Sequence, residues 1–417
     1  MTKIGLIGLG TIGSGVVKIL KENKTLITAR TGTTIELKRV CDLDEKRAEM
    51  LGIRGIYSQN YKDLLNDPDI STIVEVIGGY EPARTIIIEA IRAKKNVVTA
   101  NKAVIAKHGE EIFKAAEDNN VSIMFEAAVG GCIPIIKAIR ESFAADKINR
   151  IYGILNGTTN YILTKMEEGL SYDQALKQAQ ELGFAEANPS FDVDGLDSAQ
   201  KLKILSSLAF NAKIKDDILT WGITKINKSD IKYAKDLGYT IKLLAIAKEI
   251  DDEIELRVHP TMIPQTHELA NIKNESNAIY LVGNNIDKAM LYGKGAGSMP
   301  TATVVVGDII DIAKSSSITN YYSEEKKLKD INTITCRYYL RPNVLDKPGV
   351  FAMIADILGK NNISISGVSQ KELGKDIVPI TIITHNVRES DMMQAVDQIN
   401  KLDVVKSKTV VIRIEDI

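Results

Sequence analysis

Lys3-Ile4-Gly5-Leu6-Ile7-Gly8-Leu9-Gly10-Thr11-Ile12-Gly13 decides the fold of this chain. Lys3–Ile7 is a short apolar run suited to a buried strand. Beyond the glycines, Ile12, Val16, Val17, Ile19 and Leu20 recur with the period of an amphipathic helix. Strand, glycines, helix is the context in which Gly8-x-Gly10-x-x-Gly13 works as a dinucleotide fingerprint. Gly8 permits the tight turn, Gly10 lets the backbone approach a pyrophosphate, and Gly13 lets helix and strand pack closely. Thr11 and Ile12 open the helix, whose free N–H groups and partial positive charge face the phosphates.

A second strand, Ile35–Cys41, ends in Asp42, where a ribose-binding acid belongs. The spacing exceeds the usual gap of about 20 residues, and a loop around Thr28–Thr34 accommodates the excess. Strand-like runs at Ile73–Ile77, Asn96–Thr99 and Ser122–Phe125, with helical patterns between them, complete an α/β Rossmann domain. Asp42 favours NAD, since it accepts a hydrogen bond from a ribose 2′-OH and repels a 2′-phosphate. Arg39, Lys46 and Arg47 lie close enough in sequence to neutralise that phosphate, so NAD and NADP both stay open. Gly78 and Gly79 follow one strand and Asn101-Lys102 ends another, which puts them at the C-terminal rim where open α/β sheets bind ligands. A lysine there is ordinarily just solvated. Its place beside the expected nicotinamide makes Lys102 a candidate.

Further along, Ile151–Leu155 reads as a strand, and Asn156-Gly157-Thr158-Thr159-Asn160 as a loop before a helix from Tyr161 to Glu168. Its amides and hydroxyls suit a small polar substrate, or simply a turn and cap. Ala179–Lys201, AQELGFAEANPSFDVDGLDSAQK, is a shaped acidic loop broken at Gly183, Pro189 and Gly195. A helix beginning near Gly195 or Leu196 sets Asp197 and Lys201 at i and i+4 on one face, within reach of one ligand or paired with each other. Lys201–Phe210 continues that helix. Ile254–Val258 and Ala278–Val282 read as strands, and Ile241–Ala247 as a strand or a helix. Gly293–Ala302 is a second glycine-rich loop. The apolar helix after it, Thr303–Ala313, is expected to return to the nucleotide domain and bring Gly297 to the cofactor.

The C-terminal part scans as β-α-β-β-α-β, the ferredoxin-like plan, and holds no catalytic constellation. The division expected is a Rossmann domain over 1–135 completed by 296–318, an α+β substrate and dimerisation domain over 136–295, a polar linker over 319–331, and a regulatory module over 332–417. A chain of 417 residues has room for these cores. Net charge of −1 gives no reason to expect nucleic acid or a membrane surface as partner, and no apolar run reaches the length of a membrane span. The N-terminus enters its first strand at once, so no signal peptide is expected. The three cysteines and four histidines are scattered without metal-ligand spacing, which fits a reducing, cytoplasmic setting.

The segment A179-x3-G183-F184-A185, then N188-P189-x2-D192-V193-x-G195-x-D197-x3-K201, resembles without a gap the signature of homoserine dehydrogenases. The GLGTIGSG start and the EVIGG, TANKA, EAAVGG, NGTTN and GKGAGSMPTA segments are similar to the same family, and LDKPGV opens a module that resembles an ACT domain. The resemblance implies reversible NAD(P)-dependent interconversion of L-homoserine and L-aspartate 4-semialdehyde. By this likeness Lys201 is the catalytic lysine, Lys102 a second active-site lysine, and Glu186, Asp197 and Asp192 carboxylates near the substrate. It further implies a monovalent-cation site, usually sodium, at Glu126, Val129, Gly131 and Ile133, threonine as effector, and a homodimer or homotetramer. The rivals are another NAD(P)-linked enzyme, such as an aspartate dehydrogenase, and a non-catalytic amino-acid sensor that keeps a structural dinucleotide.

Overall fold

The computed structural model describes residues 1–215, 217–314, 324–370 and 376–417. The chain forms two compact units. The first holds Met1–Gly157, Asp197–Lys215 and Ser276–Lys326, and the second Thr158–Leu196, Asp216–Glu275 and Lys327–Ile417.

In the first unit, β1 (Thr2–Ile7), β2 (Ile35–Cys41), β3 (Tyr57–Ser58), β4 (Thr72–Glu75), β5 (Asn96–Thr99) and β6 (Ile123–Met124) form a six-stranded sheet ordered β3-β2-β1-β4-β5-β6. Every pairing in it is parallel. The order reverses between β1 and β4, which makes the crevice at the end of β1 the topological switch point. Helices cover the sheet, so β1 reads as a nearly continuous apolar run. Ile4 and Leu6 of β1 share a core with Val16, Val17 and Leu20 of α1 (Thr11–Glu22), and with Val305 and Ile309 of the Ser298–Ala313 helix. That helix therefore returns to the nucleotide sheet as expected. It begins at Ser298 rather than Thr303, so Pro300 lies in its first turn.

Three further expectations need correction. The loop placed around Thr28–Thr34 is mostly helix, α2 (Lys24–Thr31), closed by Gly32 in the left-handed conformation at φ 69°. None of its residues is buried, so it leaves no apolar periodicity to read. The NGTTN segment is not a loop either, because the helix after it spans Gly157–Glu167. Finally, Lys288–Lys294 is a strand, so the glycine-rich loop expected from Gly293 starts two residues later. It pairs antiparallel with Ser276–Gly283, which pairs in turn with β7 (Ile148–Ile154).

In the second unit, Tyr239–Ile250 is a strand and forms a hairpin with Glu253–Pro264. The C-terminal module has antiparallel strands in the order Val405–Ile414, Thr335–Leu345, Ile377–Thr384, Ile365–Gln370. Its helices Val350–Lys360 and Glu389–Asn400 bury Ile354, Leu358, Met392 and Ile399 against that sheet. The module is stitched to the hairpin: Thr261 and Met262 pair in parallel with Arg413 and Ile414. Of the segment read as a linker, residues 319–323 lie outside the described residues, as do 315–318 of the returning segment. Glu324–Glu325 pairs with Ala212–Lys213, and Lys327–Leu328 with Glu253–Ile254. Among the described residues, no helix is long and apolar enough to cross a membrane.

Candidate active site

The glycine turn at the end of β1 has the shape that phosphate binding needs. Gly8 sits at φ 101°, and a Cβ on Gly13 would lie 1.8 Å from the Gly8 carbonyl oxygen, so neither position tolerates a side chain. A Cβ on Gly10 would meet only Arg47 Nη1, at 3.8 Å, which leaves that stretch of backbone open to a ligand. Asp42 Oδ2 accepts the Leu9 N–H at 2.5 Å and Oδ1 the Asp44 N–H at 2.9 Å. Beside the turn lies a cavity of about 480 Å3 lined by Gly8, Gly10, Asp42, Arg47, Tyr61 and Gly78, within the range of small-molecule sites. Thr11 and Ile12 form the first turn of α1. The Ser298 hydroxyl donates to the Thr11 carbonyl at 2.6 Å, so Gly297, the residue before that helix, is held to the glycine turn. These residues fit a dinucleotide.

The strand-end rim is fixed by an acid that sequence reasoning missed. Glu75 is fully buried at the end of β4 and accepts the Ile77 N–H at 2.8 Å and the Thr99 hydroxyl at 2.6 Å. Burial raises its carboxyl above the ordinary range against these hydrogen bonds. Asn101 donates to the Gly79 carbonyl at 2.7 Å and caps the Lys102–Asn119 helix by accepting the Val104 N–H. Gly78 and Gly79 are thereby tied to the turn that presents Lys102. The readable signal was a charged residue in an otherwise apolar strand.

Lys102 points at Asp197, with Nζ 3.3 Å from Oδ1. Lys201 Nζ lies 2.7 Å from Asp197 Oδ2 and donates to the Leu155 carbonyl, also at 2.7 Å. Asn156 Nδ2 donates to the same Asp197 oxygen at 2.9 Å. One carboxylate thus gathers two lysines and an amide. Burial works against the Asp197 anion, but the Lys201 and Lys102 ammonium charges, with the bonds from Lys201 and Asn156, hold its carboxyl below the usual range. The helix supplies the register: it starts at Leu196, so Asp197 and Lys201 stand one turn apart. Behind them Asn277, also missed, donates to the Leu155 carbonyl at 2.9 Å and so fixes the second acceptor of Lys201.

The other sequence candidates have different surroundings. Thr158, in the second unit, donates to the Phe184 carbonyl at 2.5 Å and lies 3.4 Å from Asp192, which joins the helix start at Gly157 to the acidic loop. Glu186 is exposed on that loop, and its carbonyl accepts from Gln180 at 3.1 Å. Glu126, Val129, Gly131 and Ile133 lie in one buried turn. The Glu126 carboxylate accepts the Ile136 and Lys137 N–H groups at 2.8 and 2.7 Å, and burial pushes its carboxyl up to about 7. Among the described residues, no group of three or more His, Cys, Asp or Glu is placed to hold a metal ion.

A family model described as the NAD-binding domain of homoserine dehydrogenase matches residues 8–126, one described as homoserine dehydrogenase matches 134–310, and an ACT-domain model matches 338–404. A homoserine dehydrogenase of Bacillus subtilis is 40% identical over 427 residues, covering 99% of this chain and 98% of that protein. One from Helicobacter pylori is 42% identical and covers 99% of each. The crystal structure of a homoserine dehydrogenase from Thiobacillus denitrificans superposes with a TM-score of 0.94 at 40% identity, covering 100% of this chain and 98% of that one. A hyperthermophilic archaeal homoserine dehydrogenase in complex with NADPH matches 76% of this chain and 99% of its own, with a TM-score of 0.64 at 26% identity.

Proposed function

This chain belongs to the homoserine dehydrogenase family, NAD(P)-dependent oxidoreductases acting on a CH–OH group, and we propose that Lys201 carries the proton in its interconversion of L-homoserine and L-aspartate 4-semialdehyde. One observation carries this reading. An ammonium group has three donors, and among the described residues Lys201 directs two of them, to Asp197 and to the Leu155 carbonyl. The third remains for a substrate oxygen, on a side chain 12% exposed.

A nicotinamide bound beside these residues would supply the hydride chemistry at the carbinol carbon. The rest falls to the chain's own residues. In the reductive direction Lys201 donates a proton to the carbonyl oxygen as the C–H bond forms. In oxidation its neutral amine removes the hydroxyl proton. Asp197 keeps the amine aimed, because it cannot turn without breaking bonds to both lysines and to Asn156. Lys102, whose side chain is 34% exposed, adds positive charge where alkoxide charge develops. The Asn156–Thr158 segment shapes the substrate end. Glu186 and Asp192 provide carboxylates for the substrate ammonium. Glu126, Val129, Gly131 and Ile133 would hold a monovalent cation, Na+. Threonine acts as effector at the C-terminal module, where a cavity of about 380 Å3 includes Asp346, Lys347, Gly349 and Gln370. The enzyme works in the cytoplasm as a homodimer or homotetramer.

The test is an absorbance assay of nicotinamide reduction by the full chain, with homoserine, aspartate and threonine as separate substrates. Turnover only with homoserine supports the reading, and turnover only with aspartate sinks it. Added threonine should inhibit the full chain and spare Asp346→Ala. Equal inhibition of both would put the effector elsewhere.

A further inference from the structure

We infer that a cavity between the two lysine-bearing helices of the first unit binds a small carboxylate with an apolar body, and that its occupancy lowers turnover. The cavity has a volume of about 210 Å3, and every residue lining it belongs to the first unit. Its floor is apolar. Phe113 and Phe125 stack there with ring centroids 5.4 Å apart, and Ile105, Ile204 and Ile214 are buried beside them. Its rim is basic. Lys203 and Lys213 are half-buried, and Lys107 and Lys215 are exposed. Among the described residues two acids answer them: Glu110 lies 3.2 Å from Lys213, and Glu325 2.6 Å from Lys215. Four lysines less two carboxylates leave a net charge of +2.

A lysine rim by itself is ordinary solvated surface. Around an apolar floor it selects a ligand with two ends, an anion for the ammonium groups and a hydrocarbon body for the rings. An apolar cavity of about 150 Å3 takes a benzene. This one therefore has room for a ring or a branched alkyl chain, with a carboxylate at the mouth. The Lys213–Glu110 pair does not close that mouth. Glu110 is 58% exposed, and pairs so open to water contribute little, so an incoming carboxylate can replace Glu110 on Lys213.

Helical register links the cavity to turnover. Ile105 and Gly109 stand three and seven residues beyond Lys102 on the Lys102–Asn119 helix, and Ile204 and Leu208 three and seven beyond Lys201 on the Leu196–Ala209 helix. Residues so spaced share a helix face. On both helices the cavity thus lies on the face that carries the lysine. A ligand that spreads the helices lengthens the Lys102–Asp197 contact, 3.3 Å without it, and withdraws Lys102 from the reacting oxygen. This half of the inference rests on the lysine chemistry proposed above; the binding half does not.

The experiment is calorimetric titration of the full chain with phenylacetate, phenylacetamide and acetate, with homoserine oxidation kinetics beside it. Phenylacetate should bind saturably, roughly tenfold more tightly than the amide, which lacks the charge, or acetate, which lacks the body. Lys203→Gln combined with Lys213→Gln should weaken it by a similar factor and leave basal kcat unchanged. Ser207→Leu, which fills the cavity, should abolish binding. Phenylacetate should lower kcat without raising the KM for homoserine. No saturable binding, equal binding of the three probes, or unchanged affinity in the double variant would overturn the site. Relief of inhibition by excess homoserine or NAD would put phenylacetate in the active site and overturn it too. Binding with full kcat would overturn the link to turnover. A chain that binds phenylacetate as described but never turns over homoserine would count against the dehydrogenase reading and leave the binding site supported.

Discussion

Two clusters of buried charge can be set side by side. In the first unit Asp197 holds Lys201 and Lys102. In the second, Arg257 bonds Glu255 at 2.8 Å and also Glu415, while Glu415 accepts from Lys248 at 2.8 Å. Nearby, Arg413 makes a two-point bond to Glu389, which also accepts the Tyr338 hydroxyl at 2.5 Å, and the guanidinium lies over the Trp221 ring at 4.1 Å. His259 fits between, 2.8 Å from Arg257 and 2.9 Å from Thr261, and burial with the two guanidinium charges keeps it neutral. The arginine cluster uses planar donors aimed at several acceptors, on side chains only 1% exposed. The lysine cluster uses compact charges, leaves one donor of Lys201 unused among the described residues, and is partly open to solvent. Paired charge closed off from solvent makes a structural joint. A donor left over makes a candidate for chemistry.

This difference ranks the changes that would break it. Asp197→Asn removes the charge that orients both lysines, so kcat for homoserine oxidation should fall about 10²-fold or more, while NADH titration stays near the unaltered value. A normal kcat would mean that the lysines orient themselves. Glu415→Ala strips a counter-charge from Arg257 and Lys248, and breaking such a buried pair costs about 3–5 kcal/mol. Urea unfolding should register that loss, whereas kcat per folded molecule should change little. Ending the chain near Asp330 also takes Arg341 from Asp230, a pair at 2.6 Å buried on both sides. That truncation should destabilise at least as much, so a point variant is the cleaner probe of regulation. Replacing both partners, Asp230→Leu with Arg341→Met, should cost far less than either change alone, about 1 kcal/mol or less.

Acid should expose the joint in a smaller, graded way. Burial opposes the Glu415 anion, but Arg257 and Lys248 outweigh it and hold its carboxyl below the ordinary value. The native state therefore resists protonation that the unfolded chain accepts near pH 4.3. Its contribution is complete above that pH and is lost as pH falls through the lower, folded value. Urea midpoints between pH 7 and 3 should fall less steeply in Glu415→Gln. An unchanged slope would show that other carboxylates govern the acid limb.

Much of this was legible because it is local. The glycine turn, Asp42, the β2 and β5 boundaries and the β-α-β-β-α-β order each follow from patterns a few residues long. The Asp197–Lys201 pairing followed from one helical turn. What was not legible depends on distance in sequence or lacks periodicity. Glu415 meets Arg257 across 158 positions, and no spacing rule links them. Asn277 supports Lys201 only through the carbonyl of Leu155, a group every residue has. The Gly157–Glu167 helix starts in Gly-Thr-Thr-Asn, residues of low helix propensity. Tertiary bonds compensate there, since Asn160 donates to the Ile272 and Asn274 carbonyls.

The most direct measurement is the rate of homoserine-dependent nicotinamide reduction by Lys201→Ala, with NADH affinity titrated on the same preparation. The expected result is a loss of roughly 10²–10⁴-fold in kcat with nucleotide affinity preserved. A variant that binds NADH normally and keeps near-normal turnover would contradict it, and the unused donor of Lys201 would then have no part in the chemistry.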